Sequence, residues 1–573
     1  MKHRAYAAAA VAGCALALLS ASAAKAGVTN GIAATVPQFI QAATLVGPAP
    51  ATQQIHLVVF LPYPNQSAVD GFTAAVNNPA SSTFGQFLTP DQFAAEFAPS
   101  QNTYSTVEYV VTGAGMQIVQ TYPNRKMMDV VATVAQADAF FNTVINQYSY
   151  DNVTYYANAV PASIPNALRG AVMAVSGFTN FIQRVGQPLV ANPNVPAGFG
   201  PLDIQTAYNE PVHVNKSYNG AGVTIAIETA YDYNDSDLSG YWSAFGVQRG
   251  QNAYVIRKIV DDPVNQGLPA PGQNDETTLD VEQSSSNAPS ANVIVYEGVD
   301  PLNSTFDDIY EQTTIDPRVD VVTTSWGSCE AGSDPNEVAA DNDLFEQSAA
   351  EGQTRFAASG DNGSKDCGMN NPPDGFPGQP NPTNVDFPSS SPFMGASGGT
   401  TLTLNANRTI HSETGWSGSG GGISMFFGLP PYQQPVPTLF SRQWRNTPDV
   451  ALDADPNTPY ALYYYGSWLL SVGGTSCVAP NMAALYAQVD GYYQRRTGLA
   501  ATGLYNGFRK NTYPGNVWHD ITSGSNGDFN AGPGYDNVTG VGSLNGYRYM
   551  LQVPHPRSGG GLSRPRPHLR PLA

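Results

Sequence analysis

At 573 residues the chain is long enough for several domains, and a hydrophobic content of 42% places it among globular proteins. Charged residues make up only 12%, with 26 basic against 45 acidic groups and a formal net charge of -19, which excludes a nucleic-acid binder because no basic stripe exists to neutralise phosphates. So few basic groups also limit self-repulsion once the carboxylates are protonated, a composition compatible with an acidic habitat.

Lys2, His3 and Arg4 precede an apolar run from Ala5 to about Leu19, followed by Ala24-Lys25-Ala26. This is the pattern of a secretory signal, here over residues 1–26, and a secreted, extracellular product is expected. The run is shorter than a bilayer requires, and no later stretch has about 20 consecutive apolar residues, so no membrane anchor is expected. Val11-Ala12-Gly13-Cys14 is similar to a lipoprotein cleavage box, but the apolar run continues past it. Without Cys14, three cysteines remain: Cys329, Cys367 and Cys477. Cys329 and Cys367 are the expected pair, closing a loop of about 38 residues worth roughly 4 kcal/mol in the chain-entropy account. Cys477 is left as a small buried hydrophobe.

From residue 27 to 185 strand-like runs (Ile55 to Leu61, Met128 to Val134) alternate with helix-like ones (Thr89 to Phe97, Ala135 to Val144), which predicts a small α+β unit. Residues 186–201, rich in glycine and proline, read as a linker. Over 202–553 the pattern changes. Apolar strand candidates at Val223 to Ile227, Tyr254 to Val260, Val293 to Tyr296, Val319 to Thr324 and Thr354 to Ala358 alternate with helix-length segments such as Asp275 to Ser286 and Glu337 to Glu351. The predicted fold is α/β, a parallel sheet covered by helices on both faces, with sites expected outside the carboxyl ends of the strands. Residues 554–573 cannot form a core and are expected to be disordered.

Gly473-Gly474-Thr475-Ser476 sets a serine on a glycine turn where an apolar, helix-like run begins, so a developing negative charge there would feel the positive end of a helix dipole. A glycine turn leading into a core helix explains the tetrapeptide equally well. A nucleophilic serine needs a base, yet none of the seven histidines sits in a histidine-glycine motif, so a base for Ser476 would be a carboxylate. Cys477 as nucleophile would itself need a histidine partner. An esterase would need a G-x-S-x-G elbow, and Gly-Thr-Ser-Cys-Val does not provide one.

Glu276 and Asp280, four residues apart, share one face of a predicted helix, close enough to share a proton, although acidic residues near a helix start also serve the dipole alone. Asp361, in Ser359-Gly360-Asp361 at the end of an apolar strand, is either a turn residue or an acid able to donate to an oxyanion. Ser325-Trp326-Gly327 ends another strand and could pair with an extended peptide.

Taken together, these motifs resemble the sedolisins, serine-carboxyl peptidases of subtilisin-like fold. The likeness extends to Trp416 through Ser424 with its Gly420-Gly421-Gly422 loop, and to Thr447-Pro448-Asp449-Val450 before Asp453-Ala454-Asp455-Pro456. The resemblance implies Ser476 as nucleophile, Glu276 as general base and acid, Asp280 as its partner and Asp361 as the oxyanion acid, with Glu228 and Trp326 extending the hydrogen-bond network. Cys329 and Cys367 fall where some members have a disulfide.

Asn78 through Pro90 in the N-terminal unit resembles the pro-kumamolisin activation domain, which implies an intramolecular inhibitor cut away during maturation. Asp520, Ile521, Gly532, Gly534 and Asp536 are implied as ligands of one calcium ion, in keeping with hard oxygen donors and glycine carbonyls. The expected protein is a monomeric, acid-active endopeptidase made as a zymogen and acting on peptides or proteins. An inactive secreted binding or scaffold protein on the same fold is the alternative.

Overall fold

The computed structural model describes residues 31–181, 198–260, 274–366, 385–509 and 517–554, together with Val264 and two short strand pieces at 185–186 and 189–190. The expected signal segment, Cys367 and most of the expected tail lie outside the described residues.

In the N-terminal unit a four-stranded antiparallel sheet runs in the order Gln117–Thr121, Met127–Thr133, Gln54–Phe60, Ala174–Ser176. Its helices start where the sequence caps them. Thr89 and Gln92 form a capping box with Pro90 at the first helical position, and Thr133 with Gln136 repeats the box. Strand alternation sends Ile55, Leu57 and Val59 into the unit's own core, whereas Val58 and Phe60 join Tyr122, Met127 and Ala174 on the opposite face.

That opposite face is covered by the larger domain. Its sheet has eight strands: β1 (Thr224–Thr229), β2 (Val255–Val260), β3 (Asn292–Gly298), β4 (Val321–Thr324), β5 (Thr354–Ala358), β6 (Gly395–Leu404), β7 (Ile410–Gly415) and β8 (Val450–Asp453). They are ordered β2-β3-β1-β4-β5-β6-β7, with β8 also pairing β6, and every pairing is parallel except that of β7 with β6. The expected parallel sheet is therefore present, with one antiparallel strand at its edge.

Helices α1 (Asn274–Asn287) and α4 (Val478–Tyr493) lie on one face, and α2 (Asn303–Ile315) and α3 (Pro335–Ala350) on the other. Two neighbouring residues of β1 mark the faces: Thr229 bonds to Thr277 of α1 at 2.7 Å, and Glu228 accepts from Thr313 of α2 at 2.6 Å.

The N-terminal unit docks on α2 and α3. Val58, Phe60, Tyr122 and Met127 merge with Phe306, Ile309, Tyr310 and Phe345 into one apolar cluster, where each large buried side chain contributes about 1.5–3 kcal/mol. Lys126 Nζ reaches Asp343 at 2.9 Å and the Leu61 carbonyl at 2.7 Å, fully buried between the domains. Leaving either charge without its partner there would be strongly destabilising. Phe199 is bonded into the larger domain through its N–H to the Pro459 carbonyl at 2.7 Å, so the chain is anchored before the helix Pro201–Ala207 begins. Among the described residues no helix is long and apolar enough to cross a membrane.

Candidate active site

The site is assembled from elements whose sequences are far apart. β5 ends at Ala358 and delivers Ser359-Gly360-Asp361; β4 ends at Thr324 and delivers Ser325; and α1 carries Glu276 and Asp280. The serine arrives from the strand Ser467–Gly473 through a turn at Gly474, whose φ of +114° favours glycine, followed by a single 3₁₀ turn Thr475–Cys477 that runs into α4.

Ser476 Oγ donates to Glu276 Oε2 at 3.2 Å, and both residues are fully buried. On the same helix face, Asp280 Oδ1 accepts from Ser325 Oγ at 2.8 Å. Among the described residues, Glu276 Oε1 and Asp280 Oδ2 are buried without a hydrogen-bond donor. Burial lifts the Glu276 carboxyl well above the usual range, and the charges of Asp280 and Asp275 add to the effect while the Ser476 hydrogen bond opposes it. Burial raises Asp280 in the same way against the Ser325 bond. Two buried carboxyls on adjacent turns cannot both ionise cheaply, so the pair retains a proton well above the usual carboxyl range.

Asp361 stands on the other side of the serine turn. Its Oδ1 accepts from the Thr475 N–H at 2.7 Å and from the Thr475 hydroxyl at 2.9 Å, whereas Oδ2 is buried with no partner among the described residues. Burial pushes this carboxyl up to about 7 despite the two Thr475 bonds. The Gly420 loop closes against it: Gly420 N–H donates to the Gly360 carbonyl at 2.8 Å, and a Cβ on Gly420 would stand 2.0 Å from the Ser359 carbonyl oxygen. Only glycine permits that approach.

All four expected residues are thus brought together around one turn. Thr475 and Ser325 take roles that the sequence does not announce. Their hydroxyls hold Asp361 and Asp280; both residues belong to motifs legible in the sequence, but neither motif announces that hold. Cys477 is free and fully buried, and burial pushes its thiol well up, which suits a packing residue rather than a thiolate nucleophile. Trp326 does join the wider network, its Nε1 donating to Thr229 Oγ1 at 3.1 Å. Glu228 does not. It faces α2 and α3, where Oε1 accepts from Arg355 at 2.7 Å and from Thr313 at 2.6 Å. Strand alternation is the reason: Thr229, one residue on, takes the position toward the site.

In the C-terminal loops two carboxylates converge on one glycine turn. The Gly534 N–H donates to both oxygens of Asp520 at 3.1 Å, and the Gly532 N–H donates to Asp536 Oδ2 at 3.0 Å. Burial raises Asp536 to about 6 even though it also accepts from the Val538 and Thr539 N–H groups. Carboxylates beside glycine carbonyls form a hard-oxygen donor set that fits calcium.

Comparison with known proteins follows the same division of the chain. Residues 41–181 match the pro-kumamolisin activation domain, and residues 266–504 match the subtilase family. Kumamolisin of Bacillus sp. (strain MN-32) is 30% identical over 499 residues, an alignment that covers 81% of this chain and 85% of that protein. Sedolisin of Pseudomonas sp. (strain 101) is 28% identical over 525 residues, covering 86% of each. The solved structure of Pseudomonas sedolisin, a serine-carboxyl proteinase complexed with two molecules of pseudo-iodotyrostatin, superimposes with a TM-score of 0.55 at 27% identity and covers 62% of this chain and 97% of that one.

Proposed function

Since the chain belongs to the sedolisin and kumamolisin family of serine-carboxyl peptidases and carries an activation prodomain, we propose that Ser476 is its nucleophile, Glu276 its general base and acid, Asp280 the partner of Glu276, and Asp361 the acid that stabilises the oxyanion. The carrying observation is the hydrogen bond from Ser476 Oγ to Glu276 Oε2 at 3.2 Å, with the unpartnered Oδ2 of Asp361 across the same turn. As the serine oxygen attacks a peptide carbonyl, its proton passes to Glu276. The carbonyl oxygen takes up negative charge and accepts a hydrogen bond from protonated Asp361. Glu276 then returns the proton to the leaving amine, and water repeats the sequence on the ester.

The electrostatics favour acid. Asp361 donates only while protonated, and its charged form would oppose the oxyanion, so activity falls as pH rises through about 7. The acid limb follows complete protonation of the Glu276–Asp280 pair, which removes the base. The N-terminal signal pattern and this acid chemistry support a secreted endopeptidase that works in an acidic medium. Cys329 and Cys367 are proposed as its disulfide. Asp520 and Asp536, with the carbonyls of Ile521, Gly532 and Gly534, are proposed to hold one calcium ion, which would brace the C-terminal loops.

The test is incubation of the purified precursor and its Ser476→Ala variant with a peptide library across the pH range. Cleavage and self-processing in acid by the wild type, both abolished in Ser476→Ala, are expected. An optimum at pH 7 or above, or undiminished activity in the variant, would sink the assignment.

A further inference from the structure

Three ionisable side chains sit inside the apolar seam between the N-terminal unit and the larger domain. His56 lies on the strand Gln54–Phe60 and Asp129 on its antiparallel neighbour Met127–Thr133, with Val131 opposite His56 and Val58 opposite Asp129. Alternation puts His56 on the face of Val58 and Phe60, and Asp129 on that of Met127, so both point toward α2. There α2 presents Asp308, two residues after Phe306. All three are at most 3% exposed. Two carboxylates brought together in such surroundings are costly unless a positive charge joins them.

The distances among them suit a bound cation better than a hydrogen bond. His56 Nε2 stands 4.0 Å from Asp129 Oδ1 and 3.9 Å from Asp308 Oδ2, and ligand atoms of the three residues all lie within 4.8 Å of one another. An imidazolium paired with either carboxylate would close to about 2.7–2.9 Å. The ring nitrogen instead stays nearly equidistant from both. A point equidistant from the three atoms lies about 2.5 Å or less from each, close to the roughly 2.0–2.2 Å of zinc bonds to imidazole and carboxylate. The oxygens turned away from the histidine are held from behind, because the Tyr122 hydroxyl lies 3.2 Å from Asp129 Oδ2 and 3.0 Å from Asp308 Oδ1. Outer hydrogen bonds of this kind orient ligating carboxylates.

We propose that His56, Asp129 and Asp308 bind one divalent transition-metal ion of the zinc type, which clasps the N-terminal unit to the larger domain. One imidazole nitrogen with two carboxylate oxygens is a donor set for zinc, whereas calcium and magnesium take oxygen alone. The ion's charge offsets both carboxylates at once. Because His56 and Asp129 come from the N-terminal unit and Asp308 from the larger domain, neither part holds the ion by itself. Removal of the N-terminal unit dismantles the site, so the clasp belongs to the precursor.

The experiment loads the tag-free Ser476→Ala precursor with zinc near neutral pH, with calcium in excess to fill hard-oxygen sites, and then dialyses it against zinc-free buffer. Peptidase activity plays no part in the readout. Elemental analysis is expected to find one zinc per chain, and X-ray absorption a shell of one imidazole nitrogen with oxygens at about 2.0–2.2 Å. Zinc should raise the Tm of this precursor. His56→Gln and Asp308→Asn, each made in the same background, should lose both the ion and the Tm response, and Tyr122→Phe should weaken zinc binding by about 10- to 100-fold. A precursor that retains no zinc overturns the clasp, as does a folded His56→Gln that retains as much as its parent. A shell containing sulfur, or two or more imidazoles, would place the ion elsewhere and overturn it too. That last measurement needs no substitution at the site, so it decides even if the variants fail to fold.

Discussion

Ser476 and Glu276 lie 200 residues apart in sequence, and the serine hydroxyl of one donates to the carboxylate of the other at 3.2 Å inside a closed core. That contact joins the start of α4 to the start of α1, two helices packed side by side on one face of the sheet.

Separating the members of the carboxyl pair is the most direct test of their roles. Glu276→Gln keeps the shape but can take no proton, and kcat/KM should fall by about 10² to 10⁴. Asp280→Asn leaves Glu276 in place but removes the charge that helps raise it. The acid limb of the pH profile should then move to lower pH. An acid limb that does not move would mean that Asp280 has no electrostatic hold on Glu276.

Asp361 sets the opposite limb. Asp361→Ala removes a donor to the oxyanion and should cost about 10² to 10³ in kcat. Asp361→Asn can still accept from Thr475 through its amide oxygen while its NH₂ faces the site. It has no proton to lose, so whatever rate it retains should no longer drop as pH rises through about 7. A pH–rate profile of the asparagine variant that still falls there would place the alkaline limb on another group.

The fold itself should be more stable in mild acid than near neutrality. Glu210, Glu330 and Asp361 are pushed to about 7, and Glu297, Glu311 and Glu351 to about 8, in each case chiefly by burial. In the unfolded chain these groups titrate near 4. The native state therefore binds more protons over this interval. The stabilisation is full below the unfolded values and is lost as pH rises through the folded ones, by at most about 1.4 kcal/mol per group and pH unit. Calorimetry on the Ser476→Ala precursor, which cannot process itself, should show Tm decreasing from pH 4.5 to pH 8. A Tm that rises over that range would contradict the sign.

Calcium should matter to the C-terminal loops. Chelation is expected to lower Tm, and Asp520→Asn with Asp536→Asn should abolish that sensitivity. Because a calcium ligand must be deprotonated and burial raises the Asp536 carboxyl, the calcium concentration needed for protection should rise as pH falls. A Tm indifferent to chelator at pH 7 would remove the proposed ion.

Much of the site was legible because its signals are local. Four-residue spacing on a helix put Glu276 and Asp280 on one face, a glycine turn before an apolar run marked Ser476, and an apolar strand ending in Ser359-Gly360-Asp361 marked Asp361. Helix caps and strand alternation likewise set the bounds of the named elements to within three residues, since they depend on neighbours in sequence. That none of the seven histidines sits in a histidine-glycine motif is sequence information too, and it leaves a carboxylate as the base for a nucleophilic Ser476.

What only the tertiary structure decided are the pairings between distant segments. Glu228 faces an arginine on the far side of the sheet because alternation along β1 gives the near side to Thr229. Thr475 holds Asp361, Ser325 holds Asp280, and the paired pieces at 185–186 and 189–190 lie along the strands Trp326–Cys329 and Ser467–Gly473. Such contacts depend on which strand ends and helix faces are stacked together, and burial then sets the protonation of every carboxyl they enclose. The sequence alone determined the kinds of groups available; the packing determined which oxygens lack donors, and therefore where the protons must sit.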